Sequence, residues 1–242
     1  MSTKVFMYQK TLIACLMIVC LSSCTGPNPN DPYEPLNRNV FEFNQLADKV
    51  IIRPIAVTYD YIVPDLIKHG IRNTFNNLTL LPSSLFNLIQ GKTKATWISL
   101  QRFTVNSTLG ILGLFDPASD LDIQHVERQT FDSTMRFWGY DKSDFIILPI
   151  LGGTTVRGVI AYPVDGVIAN PQHYIGLIGE NEAMAARITS IISIRAAYLQ
   201  QDRIINESID PYASYRSMYM QQLQANQSQE NADAIADLFA DD

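Results

Sequence analysis

The sequence predicts a mostly α-helical fold, and three observations lead there. Apolar residues return at helical spacing from Asn37 to Val50, from Ile67 to Leu78 and from Glu180 to Ser208. Prolines and glycines punctuate the chain between these segments. Four further stretches carry no Asp, Glu, Lys or Arg, yet none offers the roughly 18 unbroken apolar residues of a spanning helix. With 242 residues, 47% of them hydrophobic and 17% charged, the chain suits one folded domain with tails.

The first element is a leader. Lys4 and Lys10 make a positive start, and Thr11 to Leu21 is an apolar run too short for a bilayer but long enough for a signal-peptide core. It ends at Leu21-Ser22-Ser23-Cys24, which resembles the bacterial lipobox, with cleavage between Ser23 and Cys24 and acylation of Cys24. An ordinary signal peptide is the competing reading. Thr25 stands where an aspartate would signal inner-membrane retention, so the expected address is the outer membrane. One acyl chain holds weakly, at about 0.8 kcal/mol per buried CH₂, whereas two or three anchor a protein for good.

Thr25 to Leu36 holds Pro27, Pro29, Pro32 and Pro35 and reads as an extended tether of about 3.1 Å per residue, reaching at most about 40 Å. The expected division is 1–23 signal peptide, 24–36 acylated tether, 37–224 helical domain and 225–242 linker and acidic tail. A body so tethered works at or in the membrane.

In the body, Val40, Phe41, Phe43, Leu46, Ala47 and Val50 outline a first helix, and Pro54 and Pro64 bracket IAVTYDYIV. Ile67, Ile71, Phe75 and Leu78 form the next apolar stripe. A third helix is expected to start near Pro82-Ser83-Ser84 and run past Trp97 to Phe103. Met184, Ile188, Ile191, Ile192 and Leu199 mark the longest predicted helix, which must end before Pro211. Tyr212, Tyr215, Tyr219 and Leu223 share one face of a shorter helix, as core packing rather than a binding stripe. Ala225 to Asn231 reads as a polar linker before the acidic end of the chain.

The uncharged stretches lie between Arg72 and Lys92, Arg102 and Asp116, Asp144 and Arg157, and Asp165 and Glu180. They are either core segments of a water-soluble fold or broken, in-plane helices inside a bilayer, with freed backbone groups satisfied by protein or a watery cavity.

Composition excludes several functions. Without residues 1–23 the chain carries 16 Lys and Arg against 24 Asp and Glu, a net charge of −8, so no nucleic acid is expected as partner. All three cysteines fall within the first 24 residues, leaving the body no disulfide, thiol nucleophile or thiolate metal site. His69, His125 and His173 stand apart, no G-x-S-x-G elbow occurs, and GTTVRG (Gly153 to Gly158) lacks the Lys-Ser/Thr of a phosphate loop. Asp116, Asp120 and Asp122 fit turns and caps better than a metal or glycosidase cluster. No catalytic residue, metal or cofactor is expected.

The body resembles the MlaA/VacJ family of outer-membrane phospholipid-transport lipoproteins. The likeness begins in DPYEPLNRNVFEFN, with Asp31, Pro32, Glu34, Asn37, Arg38, Phe41, Phe43 and Asn44, and continues through RPIAVTYDYIVP and NNLTLLPSSLFNLIQG. RFTVNSTLGILGLFDPA supplies Arg102, Phe103, Asn106, Gly110, Gly113 and Asp116, and ILPILGGTTVRG and DPYASYRSMY complete a series over residues 31–220. The chain departs from the family at Asp132 and Arg136, where FG-x-T-x-G is usual, and at Gly158, where an aspartate commonly follows the arginine. These sites read as flexible turns.

The resemblance implies a ring of amphipathic and broken helices lying in the outer membrane around a polar channel. Phospholipids from the outer leaflet pass through it to a soluble periplasmic carrier, beside a trimeric porin. On that reading Leu112 and Ile150 contact the membrane, and the apolar face of Ile235, Leu238 and Phe239 docks the carrier. The competing class is a structural or adhesive lipoprotein that binds porins or cell wall.

Overall fold

A computed structural model describes residues 28–168 and 180–239. The leader, Ser23, Cys24 and His173 lie outside the described residues, as do the side chains of Ile235, Leu238 and Phe239. The fold is mostly α-helical, with one small hairpin among the described residues.

The folded body begins ahead of Asn37. Helix α1 spans Glu34–Ala47, with a proline in its first turn, where a missing N–H costs nothing. The amide of Glu34 is taken up by the Asp31 carbonyl, and Asp31 is itself buried. The expected tether therefore shortens from its C-terminal end.

One turn of π geometry, Asp48–Ile52, joins α1 to α2 (Arg53–Ile62), and Pro64 then opens α3 (Asp65–Ile89). Pro82 does not start a helix. It lies buried within α3, and the break falls instead at Gly91, whose φ of 77° closes a Schellman turn. There the Gly91 amide reaches the Leu88 carbonyl and the Lys92 amide the Asn87 carbonyl, both at 2.9 Å. Helix α4 (Thr93–Thr108) returns along α3 as an antiparallel hairpin.

After α4 come a short turn of helix, α5 (Pro117–Asp120), and α6 (Phe131–Phe137), capped reciprocally by Thr130 and Ser133. The uncharged stretch beyond Asp144 is not a broken helix, and its first half is a core segment. It forms the antiparallel strands β1 (Phe145–Leu148) and β2 (Gly152–Thr155), with Phe145 opposite Thr155. Helix α7 (Val156–Ile168) follows and packs on α6.

The long C-terminal helix is interrupted. Helix α8 (Glu180–Ala197) gives way to a 3₁₀ turn, Leu199–Gln201, and α9, Asp202–Asn206, a bend that turns the Asp202 carboxylate back to Arg195 at 2.8 Å. Helix α10 (Pro211–Phe239) is continuous through the expected linker, because Ala225 to Asn231 holds neither Gly nor Pro and is rich in good helix formers. The packed apolar core is small: Phe41, Phe145, Ile147 and Tyr212, with Tyr215 and Tyr219 against them. The tyrosine stripe of α10 is core packing, as its spacing suggests.

Candidate functional site

Polar residues organise the interior. Asn37 and Asn44 stand two turns apart on α1, about 10 Å along the axis, which matches three residues of strand. Asn37 bonds the Phe145 carbonyl and the Ile147 amide at 3.1 and 2.8 Å; Asn44 bonds the Leu148 carbonyl and the Ile150 amide at 2.9 and 2.7 Å. The two amides thus act as a third strand for the free edge of β1. Asp31 accepts from Asn37 and from the Tyr212 hydroxyl, and Arg38 holds Asp210 with both guanidinium nitrogens at 3.1 and 2.7 Å. Arg38 also accepts no freedom on its other side, since Glu34 binds its Nε at 2.9 Å. Pro32 is half-buried beside this cluster, and Phe43 points out to the surface.

A second cluster gathers the other motif residues. Arg102 is 3% exposed and donates to both oxygens of Asp116 at 2.9 Å and to the Ile123 carbonyl at 2.6 Å. Asn106 donates to Asp116 at 2.7 Å and accepts the Ala118 amide. Asp116 is thus the anion of a buried ion pair, while Asp120 and Asp122 stay at the surface. His125 is not isolated: its Nε2 lies 3.2 Å from the Ser119 hydroxyl. Phe103 is half-buried along the same helix.

The pair also fastens a loop. Gly110 and Gly113 are buried, and a Cβ on either would stand 2.5 Å from the Asn106 and Phe115 carbonyls or 2.7 Å from Asn77. With those two held inside, Leu109, Ile111, Leu112, Leu114 and Phe115 are pushed out, and Ile111 and Leu112 adopt φ of 53° and 57°. Leu112 is 75% exposed, and Ile150, at the tip of the β hairpin with φ of 68°, is 69% exposed.

Asp132 and Arg157 form a third cluster and overturn the reading of these departures as flexible turns. Arg157, 4% exposed, grips Asp132 at 2.8 and 3.1 Å and the Tyr140 carbonyl at 2.6 Å. Asp132, one of those departures, thus stands in a defined ion pair supplied from α6. Arg136 sits on the same short helix.

Beside it Arg128 and Asp165 interact, a pair that the motifs do not single out. Arg128 is exposed to water, yet burial holds its guanidinium below the ordinary range, with Asp165 pulling it up. Burial raises the Asp165 carboxyl, which accepts the Phe131 amide at 2.8 Å. Tyr162 and Tyr219 both come within reach of Thr154 in the same region. The signal available in the sequence was Asp165 as the lone charge between Arg157 and Glu180.

The balance of inside and outside is reversed from that of a water-soluble fold. Among the described residues, 17 buried residues are polar or charged against 11 apolar ones, while 36 large apolar or aromatic side chains are exposed. Most line α1 to α4, the two loops above and α8. No described helix is long and apolar enough to cross a membrane, and no described group of acids and histidines could hold a metal ion.

Fold and site together define a helical protein with its polar contacts inside and many apolar side chains outside, built around ion pairs whose arginines are buried. The chain belongs to the MlaA lipoprotein family, whose model matches residues 29–226. It is 28% identical over 228 residues to a Haemophilus influenzae protein named intermembrane phospholipid transport system lipoprotein MlaA, covering 90% of each chain. An Escherichia coli K12 protein of the same name is 30% identical over 217 residues, covering 85% of this chain and 82% of that one. An uncharacterized protein of Rickettsia typhi is 36% identical over 191 residues, 77% of this chain and 74% of its own. A solved chain, described as "Structural basis for maintenance of bacterial outer membrane lipid asymmetry", superposes with a TM-score of 0.66 at 28% identity, over 79% of this chain and 96% of its own.

Proposed function

We propose that this chain moves phospholipid without covalent chemistry. It takes phospholipids from the outer leaflet of the outer membrane and passes them to a soluble periplasmic carrier, which maintains lipid asymmetry. Acyl chains on Cys24 hold it on the periplasmic side, and its helices lie in the bilayer as a ring around a polar passage, beside a trimeric porin.

The observation that carries this reading is the reversed burial. Exposed Leu, Ile and Phe lose their penalty among acyl chains, and inward polar groups that have no partner among the described residues, such as the Asn87 amide and the Ser99 and Ser193 hydroxyls, give a head group company that hydrocarbon cannot. Lowering that desolvation barrier is a catalytic task that needs no nucleophile. The names carried by the relatives from Haemophilus influenzae and Escherichia coli point the same way.

The test is the outer-leaflet phospholipid content of cells lacking the protein, read by an outer-membrane acyltransferase or phospholipase, with wild type and Cys24→Ala restored. Phospholipid should accumulate and only the lipidated form should clear it. An unchanged leaflet would favour a structural or adhesive lipoprotein that binds porins or cell wall. The tail from Ala232 to Asp242 is assigned to carrier docking; its deletion should weaken carrier binding and leave porin association intact.

A further inference from the structure

Helices α2 and α8 pack together, and along the seam between them open two cavities, one of mixed and charged lining and one almost wholly apolar. One, about 390 Å³, is lined by Asp48, Lys49, Arg53, Arg195 and Asp202 together with apolar Leu46 and Ile205. The other, about 420 Å³, is lined by Pro54, Ile55, Thr58, Tyr59 and Ile192. They share their walls: Arg53 and Pro54 are chain neighbours, and Ile192 and Arg195 lie about one helical turn apart on α8.

The charges in the first cavity are unequally used. Arg195 is fully engaged, with Asp48 at 2.7 Å through two nitrogens and Asp202 at 2.8 Å. Arg53 approaches Asp202 only at 3.5 Å, and Lys49 is exposed with no ion pair among the described residues. Three cations against two carboxylates leave one positive charge, the complement of one phosphodiester. The π turn Asp48–Ile52 sits at this point, its Arg53 amide bonded to the Asp48 carbonyl, and such turns recur at functional sites.

The second cavity holds an independent sign. The Tyr59 hydroxyl is buried without a hydrogen-bond partner, a costly arrangement in an apolar wall unless a ligand oxygen completes it.

We infer that the α2–α8 seam is a phospholipid site, with Lys49 and Arg53 on the phosphate, Tyr59 on an ester oxygen and the apolar cavity around the start of an acyl chain. This rests on the phospholipid reading above and locates one station of it. Arg195 with Asp48 and Asp202 acts as the brace that positions Lys49 and Arg53, the latter held loosely on Asp202.

The experiment is native mass spectrometry of the full lipidated protein in detergent, titrated with a short-chain phosphatidylglycerol. Lys49→Glu with Arg53→Gln should weaken binding at least tenfold, Thr58→Trp should do the same by filling the apolar cavity, and Lys49→Arg should retain wild-type binding. Lys49 and Thr58 are exposed, so these changes leave the core untouched, which far-UV circular dichroism checks. Diacylglycerol alone and inorganic phosphate alone should not compete. Unchanged binding in both weakened variants, competition by inorganic phosphate, or no lipid on the wild type would each overturn the site. The leaflet assay decides the transport reading separately: cells that still need the chain for clearance would keep that reading while losing this location.

Discussion

Asn37 accepts the Ile147 amide through Oδ1 at 2.8 Å while its Nδ2 donates to the Phe145 carbonyl at 3.1 Å, so one side chain closes the edge of β1. Asn37 is fully buried, and water cannot take its place. Asn37→Ala leaves a strand carbonyl and an amide unpaired, and stability should fall by about 3 kcal/mol. Asn44→Ala should cost less, because Asn44 is half-buried and Ile150 is exposed to water. Chemical denaturation of the two variants in mild detergent checks the order; equal losses would deny the clamp its dependence on burial.

Removing the Asp132 carboxylate strands a buried guanidinium. Asp132→Ala should cost about 3–5 kcal/mol, the range for breaking a buried pair from one side. Adding the family's more usual acid by Gly158→Asp should not restore stability. A Cβ at Gly158 would stand 2.3 Å from the Thr154 hydroxyl oxygen, so the buried Thr154 side chain must give way before a carboxylate can be seated there. Thermal melts of the single and double variants test this; recovery in the double variant would show that Thr154 yields.

Some of this was legible and some was not, for physical reasons. The first helix and the tyrosine face of α10 could be read because each buries one side against a small apolar core. Pro82 misled because proline usually opens a helix, whereas Gly91 closes α3 with the αL geometry that the Gly-Lys-Thr sequence permits. FIILPILGGTTV gave no strand signal because all four β1 residues are buried, which removes the alternation that marks a half-exposed strand. Arg102, Asn106 and Asp116 were named by motif, but their pairing was not, since it depends on how the loop after α4 folds back. Leu112 and Ile150 were expected to face outward, but the exposed Leu and Ile of the helices were not, because helical periodicity reports a face and not what covers it.

The Arg38–Asp210 contact sets a pH dependence. Arg38 bonding holds the Asp210 carboxyl down at about 2, with the Ala213 amide adding to it. A depressed carboxyl contributes stability that is present above its unfolded value, near 4, and lost as pH falls through about 2. The melting temperature of the wild type should therefore drop between pH 4 and 2. Asp210→Asn should melt lower at pH 6 and lose less over that interval, so that the curves converge at the acid end. Parallel curves would mean that the contact does not fasten α10.

Leu112 and Ile150 offer the cleanest test of the membrane reading. Each projects from a loop whose backbone is held from behind, Leu112 by Gly113 against Asn77 and Ile150 by its amide on Asn44. Their side chains are mostly exposed, so aspartate at either position removes little packing and leaves both buried networks intact. In water the double variant should fold as the wild type does. In a bilayer each carboxylate must stay hydrated or be desolvated, at up to about 2.5–3.5 kcal/mol where the side chain would lie deepest. Partition of an unlipidated Cys24→Ala body onto phospholipid vesicles should weaken by one to two orders of magnitude per substitution, while helix content and melting in detergent hold. Unchanged partition would place both loops in water, and the reversed burial would then need a protein partner, not lipid, to cover it.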